Sequence, residues 1–433
     1  MNAPIYVWTK KKSVPEIDAF LKRPAFDAKA ESIASELLAD IRARGDAAVV
    51  DAVKRIDGVA LKLQDMLVSE EELKAAAHDV PAKIRRNVQE SYKRVAAFAK
   101  AGLRKDWHIA TKHGGRLGER FLPLDRVGVY IPGGTAPLAS TAIMTATLAK
   151  VAGVREIVAC TPCGKDGKVN PVLLYALKVA GATEIYRVGG IQGVGLMAYG
   201  TATVRPVQKI VGPGGAFVTA AKRLVYGHVA LDLVAGPSEI CVIADKSGNP
   251  AWLAADLLSQ IEHGTGHEKA LFITDDADLA KAVKDQVAEQ LPKLPRVGRM
   301  APTIENGGMM FVVVPDLDQA CELANAFAPE HLEVMVANAR RYLSKLSAAG
   351  AVFVGQWTPE SAGDFAAGPS HVLPTGGAAA KFSGLTVEDF RRRTSVIEYA
   401  HDDLVDALPV IKTFGEIEGL AAHTRSATIR IEE

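Results

Sequence analysis

The residues best suited to chemistry are histidines with polar or acidic companions at short spacing. Gln260 and His263 lie three positions apart on a segment of helical periodicity, so both side chains project from one face. Imidazole nitrogen is a leading zinc donor and an amide oxygen a rarer one; alone, the pair is more simply a solvated or capping histidine. Pro329-Glu330-His331-Leu332-Glu333 sets a carboxylate beside an imidazole just after a helical stretch. Such a couple can furnish a general base and a water activator, although the dipeptide is common by chance. Asp364 and His371 belong to residues 361–375, a loop rich in glycine and proline that still carries an acid and an imidazole, and His423 stands near the C terminus.

Those side chains need a scaffold, and glycine marks where it bends. Pro132-Gly133-Gly134, Gly189-Gly190-Ile191-Gln192-Gly193 and Gly212-Pro213-Gly214-Gly215 each follow an apolar run that reads as a strand. Glycine there lets a backbone approach a phosphate, and the helix N terminus beyond favours negative charge. One such loop is most simply a tight turn; three in one sheet make a phosphate-bearing ligand an even proposition. The GxGxxG turn followed by an acid about 20 residues on, the usual dinucleotide fingerprint, is missing.

The elements behind these loops alternate. Residues 126–131, 156–160, 184–188 and 209–211 read as strands separated by helices, which predicts a parallel sheet covered on both faces. A second α/β block spans roughly 240–374, with strands at 240–244, 270–274, 310–314 and 351–355 and helices around 251–262 and 317–326. The first 120 residues read as helical: Ile33, Leu37 and Ile41 recur four apart, Gly45 is placed to stop that helix, and a further helical pattern covers 70–100. Residues 295–302 read as an exposed loop and 384–433 as short helices. The expected fold is α/β: two parallel-sheet, Rossmann-like domains lacking the GxGxxG fingerprint, plus small helical N- and C-terminal segments.

Composition narrows the function classes. Of 433 residues, 48% are hydrophobic and 23% charged, and 51 Lys plus Arg nearly cancel 50 Asp plus Glu. A formal charge of +1 disfavours a dedicated nucleic-acid binder and an acidic disordered chain alike. No apolar run approaches the roughly 18 residues of a membrane helix. Lys10-Lys11-Lys12 is not followed by an apolar core and a small-residue cleavage site, so the cytoplasm is expected. Four cysteines make no disulfide framework, and Cys160-x-x-Cys163, after Ile157-Val158-Ala159, reads as a strand end rather than as half of a zinc or redox site. From the residues alone, the expectation is a cytoplasmic α/β enzyme with a candidate His/Asp metal site and a phosphate-bearing cofactor. Neither substrate nor reaction follows.

From about residue 30 to the end, however, the order and wording of the segments resemble the histidinol dehydrogenase family. The likeness rests on Val129-Tyr130 through Ser140, Ala235-Gly-Pro-Ser238-Glu239, Gln260-Ile-Glu-His263, Pro329-Glu330-His331-Leu332, Gly363-Asp364, His371-Val-Leu-Pro-Thr375 and the terminal His423. The resemblance implies a zinc-dependent homodimer that uses two NAD in succession to oxidise L-histidinol through the aldehyde to L-histidine. Matched residue by residue, Gln260, His263, Asp364 and His423 stand at zinc-ligand positions, which also contact substrate. His331 stands at the general base and Glu330 at the water activator. Ser140, Ser238, His371 and Glu418 stand at further substrate positions, Glu418 being donated by the other subunit, and Tyr130, Gln192 and Gly215 stand at NAD positions. Two departures are Gly215, where the family usually has Asn, and Ser370, where it often has Asn. The implied layout is an N-terminal arm over 1–25, a first α/β domain of 26–125 with 240–381, a second over 126–239 carrying the NAD loops, and a helical segment over 382–433 packed on the partner subunit. Alternatives are a paralogue of the same superfamily that oxidises another polar alcohol, such as sulfopropanediol, and a non-catalytic metal- or nucleotide-binding subunit.

Overall fold

Two parallel sheets carry the chain, because its strands are apolar on both faces and must be covered twice. The computed structural model describes residues 3–22, 27–133, 137–233 and 236–432; Gly134 of the first glycine loop and Ala235 lie outside the described residues. The five-stranded sheet runs in the order Glu184–Tyr186, Glu156–Cys160, Arg126–Tyr130, Lys209–Val211, Ala230–Leu231, all parallel. The chain moves outward from the central strand Arg126–Tyr130, then crosses back to its other side at Lys209–Val211. The crevice between those two carboxyl ends is where doubly wound sheets take ligands. The six-stranded sheet, also parallel, runs Ile5–Val7, Met309–Val313, Lys269–Thr274, Glu239–Ala244, His331–Met335, Ala351–Val354. The two parallel-sheet units expected from the sequence are both present.

Side-chain packing redraws several expectations. Ala30, Leu37, Leu38 and Ile41 of helix Ala28–Arg44 join one core of the five-stranded sheet, and Val95 and Ala99 of helix Ala82–Ala101 join the other. Residues 28–101 therefore pack with 126–239 rather than with 240–381. The arm is built into the six-stranded sheet: Ile5–Val7 pairs with Met309–Val313, and Ile17 and Phe20 enter its core. The 70–100 pattern is two helices, Glu70–Asp79 and Ala82–Ala101, because Pro81 cannot continue the first. Residues 297–303 form a helix that buries Met300, not an exposed loop. Residues 107–123 are not helical: Trp107–Ala110 and Arg116–Pro123 pair antiparallel, and tail residues Arg391–Glu398 add a third strand. A 3₁₀ turn, Val387–Phe390, precedes that strand, and the helices His401–Ile417 and Ala421–Thr428 follow it. Cys160 ends its strand and is buried, in line with the structural reading of the CxxC, and all four cysteines are free.

A buried ion pair holds the last glycine loop at the crevice. Lys222 Nζ lies 2.6 Å from Asp232 Oδ1 and donates to Gly212 O at 2.8 Å, while Gly212 N donates to Asp232 Oδ2 at 2.7 Å. Gly212 has a φ of 118°, and a Cβ there would collide with the Tyr130 backbone, so only glycine fits between the clamp and the central strand. Removing one partner strands a buried charge. Lys222→Met is expected to cost about 3–5 kcal/mol, whereas Lys222→Met/Asp232→Leu recovers most of that loss. Shifts in the urea unfolding midpoint measure both, and equal stability of the two variants would contradict the account.

Candidate active site

The six-stranded sheet brings its chemistry to its amino ends. Glu239 and His331 begin neighbouring strands, with His331 opposite Ile240 in register. Helix Pro250–Ile261 runs back after strand Glu239–Ala244, so its last turn returns Gln260 to the same edge. Asn249 caps that helix by accepting from Ala251 N and Trp252 N, and Pro250 sits in its first turn. Ahead of His331, helix Leu317–Phe327 ends on Ala328, whose φ of 47° makes it the one non-glycine residue with positive φ among those described. This left-handed step, costly for an L-residue, redirects the chain into Pro329-Glu330-His331.

Around the His331 imidazole the polar groups converge. His331 Nδ1 is 2.9 Å from Gln260 Oε1, 3.7 Å from Glu360 Oε1 and 3.8 Å from Glu330 Oε2, and Nε2 is 3.8 Å from Asp364 Oδ1. Glu330 Oε2 accepts from Glu239 N at 3.1 Å, and Glu360 Oε2 accepts from Ser259 Oγ at 2.6 Å. His371 Nδ1 lies 3.1 Å from Asp364 O, and its Nε2 lies 3.2 Å from Thr141 Oγ1. Thr141 follows Ser140 in helix Ala139–Ala152, which packs on the five-stranded sheet, so His371 spans the two sheets. Ser370, one of the two departures, donates to Met144 O and accepts from Val372 N, which ties the His371 loop to that helix.

Electrostatics make this cluster unusual. His331 is 3% exposed; burial, then the nearby His263 and His371, lowers its pKa to about 3. Burial likewise lowers His371 to about 4. The carboxyls move the other way: burial lifts Asp364 to about 6 and Glu360 to about 7, and it pushes Glu330 well above the usual carboxylate range. The other charges acting on Glu330 and Glu360 are neighbouring acids and His263, and no lysine or arginine is paired with either among the described residues. Neutral imidazoles and crowded carboxyls without a cationic partner suit a divalent cation. The Gln260 amide nitrogen and His331 Nε2 are buried without hydrogen-bond partners among the described residues. His331, Glu360 and Asp364 offer ligand atoms within 4.8 Å of one another.

The sequence-derived residues are distributed as follows. Gln260, Glu330, His331, Asp364 and His371 meet in the cluster, and His263 lies exposed at its margin, near enough to act on His331, His371 and Glu360. Ser238 immediately precedes Glu239 in the chain. His423 and Glu418 are exposed on the tail and, among the described residues, neither bonds to the cluster within the same chain. Glu360 was missed, although Glu360 and Asp364, four apart on helix Glu360–Phe365, carry a readable spacing. At the other sheet, Tyr130 OH accepts from Gly190 N at 2.9 Å, and Gln192 Nε2 donates to Asp57 Oδ2 at 3.0 Å. Gly215 caps helix Ala216–Val225, and a Cβ there would meet open space, so packing does not demand glycine.

A doubly wound sheet facing a buried imidazole–carboxylate centre is the architecture of an α/β oxidoreductase. The sequence model of the histidinol dehydrogenase family matches residues 21–431, and the chain belongs to that family. A histidinol dehydrogenase of Heliobacterium mobile is 43% identical over 422 residues, covering 97% of this chain and 98% of its own length. That of Rhizobium meliloti (strain 1021) is 44% identical over 400 residues, 92% of each. The crystal structure of histidinol dehydrogenase from Elizabethkingia anophelis superposes with a TM-score of 0.93 at 33% identity, covering 99% of this chain and 98% of that one. Among the described residues no helix is long and apolar enough to cross a membrane.

The shifts give the metal-free protein a defined pH response. Unfolded histidine titrates near 6.5, so above that pH His331 and His371 are neutral in both states and drop out. Glu360 and Glu330 titrate later in the folded chain than in the unfolded one, so the folded state holds more protons and stability falls as pH rises. Chelated protein should lose melting temperature as pH rises above 6.5 through the Glu360 value of about 7 and onward into the raised range of Glu330, and zinc should flatten the slope. A flat or rising profile without metal would contradict the carboxyl assignment.

Proposed function

We propose that the chain oxidises L-histidinol through L-histidinal to L-histidine, with one zinc per subunit and two NAD used in succession. The observation that carries this reading is the buried His331, held neutral beside Glu330 and ringed by acids that lack a cation. Gln260, His263, Asp364 and a His423 are the residues that would hold the metal, which when bound anchors the nitrogen atoms of the substrate. NAD supplies the hydride acceptor at the glycine loops near Tyr130, Gln192 and Gly215.

In the first oxidation, neutral His331 takes the hydroxyl proton as the carbinol carbon gives up hydride. Asp364 and Glu360, at 3.8 and 3.7 Å, stand where the imidazolium needs counter-charge. In the second, Glu330 draws a proton from water as its oxygen adds to the aldehyde carbon, and the hydrate then gives up the second hydride. The balance is one histidinol, one water and two NAD to histidine, two NADH and released protons. Ser140, Ser238 and His371 line the substrate side.

The tail supports a homodimer with shared sites. Ile397 (73% exposed), Val410 (59%), Phe414 (57%) and Ile417 (73%) leave its strand and long helix with an uncovered apolar surface. Asp403, accepting from Thr111 Oγ1 at 2.7 Å and from His113 N at 3.1 Å, anchors the tail to the hairpin of its own chain. We read Glu418 and His423 as reaching the partner's cluster, in an enzyme of histidine biosynthesis. Free thiols accord with a cytoplasmic setting.

Histidinol, assayed against dihydroxypropanesulfonate, should give two NADH per molecule consumed. His331→Asn should keep its zinc and lose about two to four orders of magnitude in turnover, while Glu330→Gln should slow the aldehyde-to-acid half-reaction more than the first. Full activity of His331→Asn, or turnover of the sulfonate alone, would refute the reading. Mixing equal amounts of inactive His331→Asn and inactive His423→Ala subunits should restore about a quarter of wild-type activity, because half of the dimers are hybrids and half of the sites in a hybrid are intact. No recovery after subunit exchange would place each site within one chain.

A further inference from the structure

In dinucleotide-binding sheets, an acid at the carboxyl end of the second strand meets the adenosine ribose. The second strand here is Glu156–Cys160, and the following Thr161-Pro162-Cys163 carries no acid. A carboxylate reaches that place from a distant part of the sequence. Asp57 ends the π-turn Val53–Asp57 that continues helix Asp46–Ala52, whose Ala48, Val49 and Ala52 are buried in the core of the same sheet. Gly58, with a φ of 71°, then turns the chain away and leaves the Asp57 side chain half-buried at the edge. Its partner Gln192 lies two residues after Gly190, whose N–H donates to the Tyr130 hydroxyl at the end of the first strand, and its charge also acts on the Cys163 thiol just past the second.

Asp57 is paired with an acceptor that lacks a donor. Asp57 Oδ2 takes the Gln192 Nε2 hydrogen at 3.0 Å, while Gln192, wholly buried, has no hydrogen-bond partner for Oε1 among the described residues. The site thus offers a carboxylate oxygen and an amide oxygen, both acceptors, and a vicinal diol is the group that donates to two neighbouring acceptors. A phosphate brings negative charge and few donors to the same place.

We propose that Asp57 selects a dinucleotide whose adenosine 2′-hydroxyl is free over its 2′-phosphorylated form, with Asp57 and the Gln192 amide oxygen accepting from the ribose diol. The proposal rests on the NAD-linked reading above and adds the residue that sets cofactor choice. Discrimination then comes from like-charge repulsion as much as from the hydrogen bonds gained.

The test compares Asp57→Ser and Asp57→Asn with wild type in steady-state assays and in calorimetric titration with NAD and NADP. Both variants should raise the ratio of NADP to NAD efficiency about 10- to 100-fold, with KM for histidinol and zinc content unchanged. Asparagine can still accept from Gln192, so a purely structural role would leave its ratio at the wild-type value; that result, or an unchanged ratio in both variants, overturns the assignment. The titrations keep the two readings apart. Wild type that binds NAD over NADP through Asp57 yet forms no NADH from histidinol removes the histidinol reading and leaves Asp57 in place. Equal binding of both dinucleotides by all three proteins removes the Asp57 assignment alone.

Discussion

Burying acids and imidazoles together without a cation is the constraint on which the rest of this structure depends. Glu330, Glu360 and Asp364 surround His331 at the amino edge of a sheet, where a carboxylate taken from water is costly unless compensated. The chain compensates only in part, with Glu239 N on Glu330, Ser259 on Glu360 and Gln260 on His331. What remains unsatisfied inside the fold is what the proposed metal and substrate would engage.

That arrangement explains why the two sheets present opposite ends to the centre. The five-stranded sheet offers carboxyl ends and helix N termini, which favour the negative charge of a dinucleotide. The six-stranded sheet offers amino ends, reached by the end of a returning helix at Gln260 and by the short helix of Glu360 and Asp364. His371, with Thr141 on one side and the Asp364 carbonyl on the other, and Ser370 on Met144 O, are side-chain links across the gap. The glycine loops and the imidazole–carboxylate cluster thereby belong to separate sheets, each stabilised by its own cores.

Much of the scaffold was legible because its signals are local. Strands such as 156–160 and 240–244 are short apolar runs bounded by turn residues, and the structure ends them at the same residues. Strand His331–Met335 escaped because the polar His331 and Glu333 interrupt its apolar pattern. Strand Arg391–Glu398 escaped for a related reason: it is largely exposed, and its partner Arg116–Pro123 lies far away in the chain. The packing of residues 28–101 on the five-stranded sheet was equally invisible, since an amphipathic helix records that it has a buried face but not what covers it.

Residue types and the order of the motifs carry the fold class, the family and the chemical character of Gln260, His263, Glu330, His331, Asp364 and His371, since both are already present in the unfolded chain. The tertiary structure alone decided that Glu360 joins them, that Asp57 lies against Gln192, and that Lys222 and Asp232 grip the Gly212 loop. Each of those contacts depends on a distance between side chains that are separate in the chain. Only packing brings them together, and burial then moves their proton affinities far from the values that the residue types suggest.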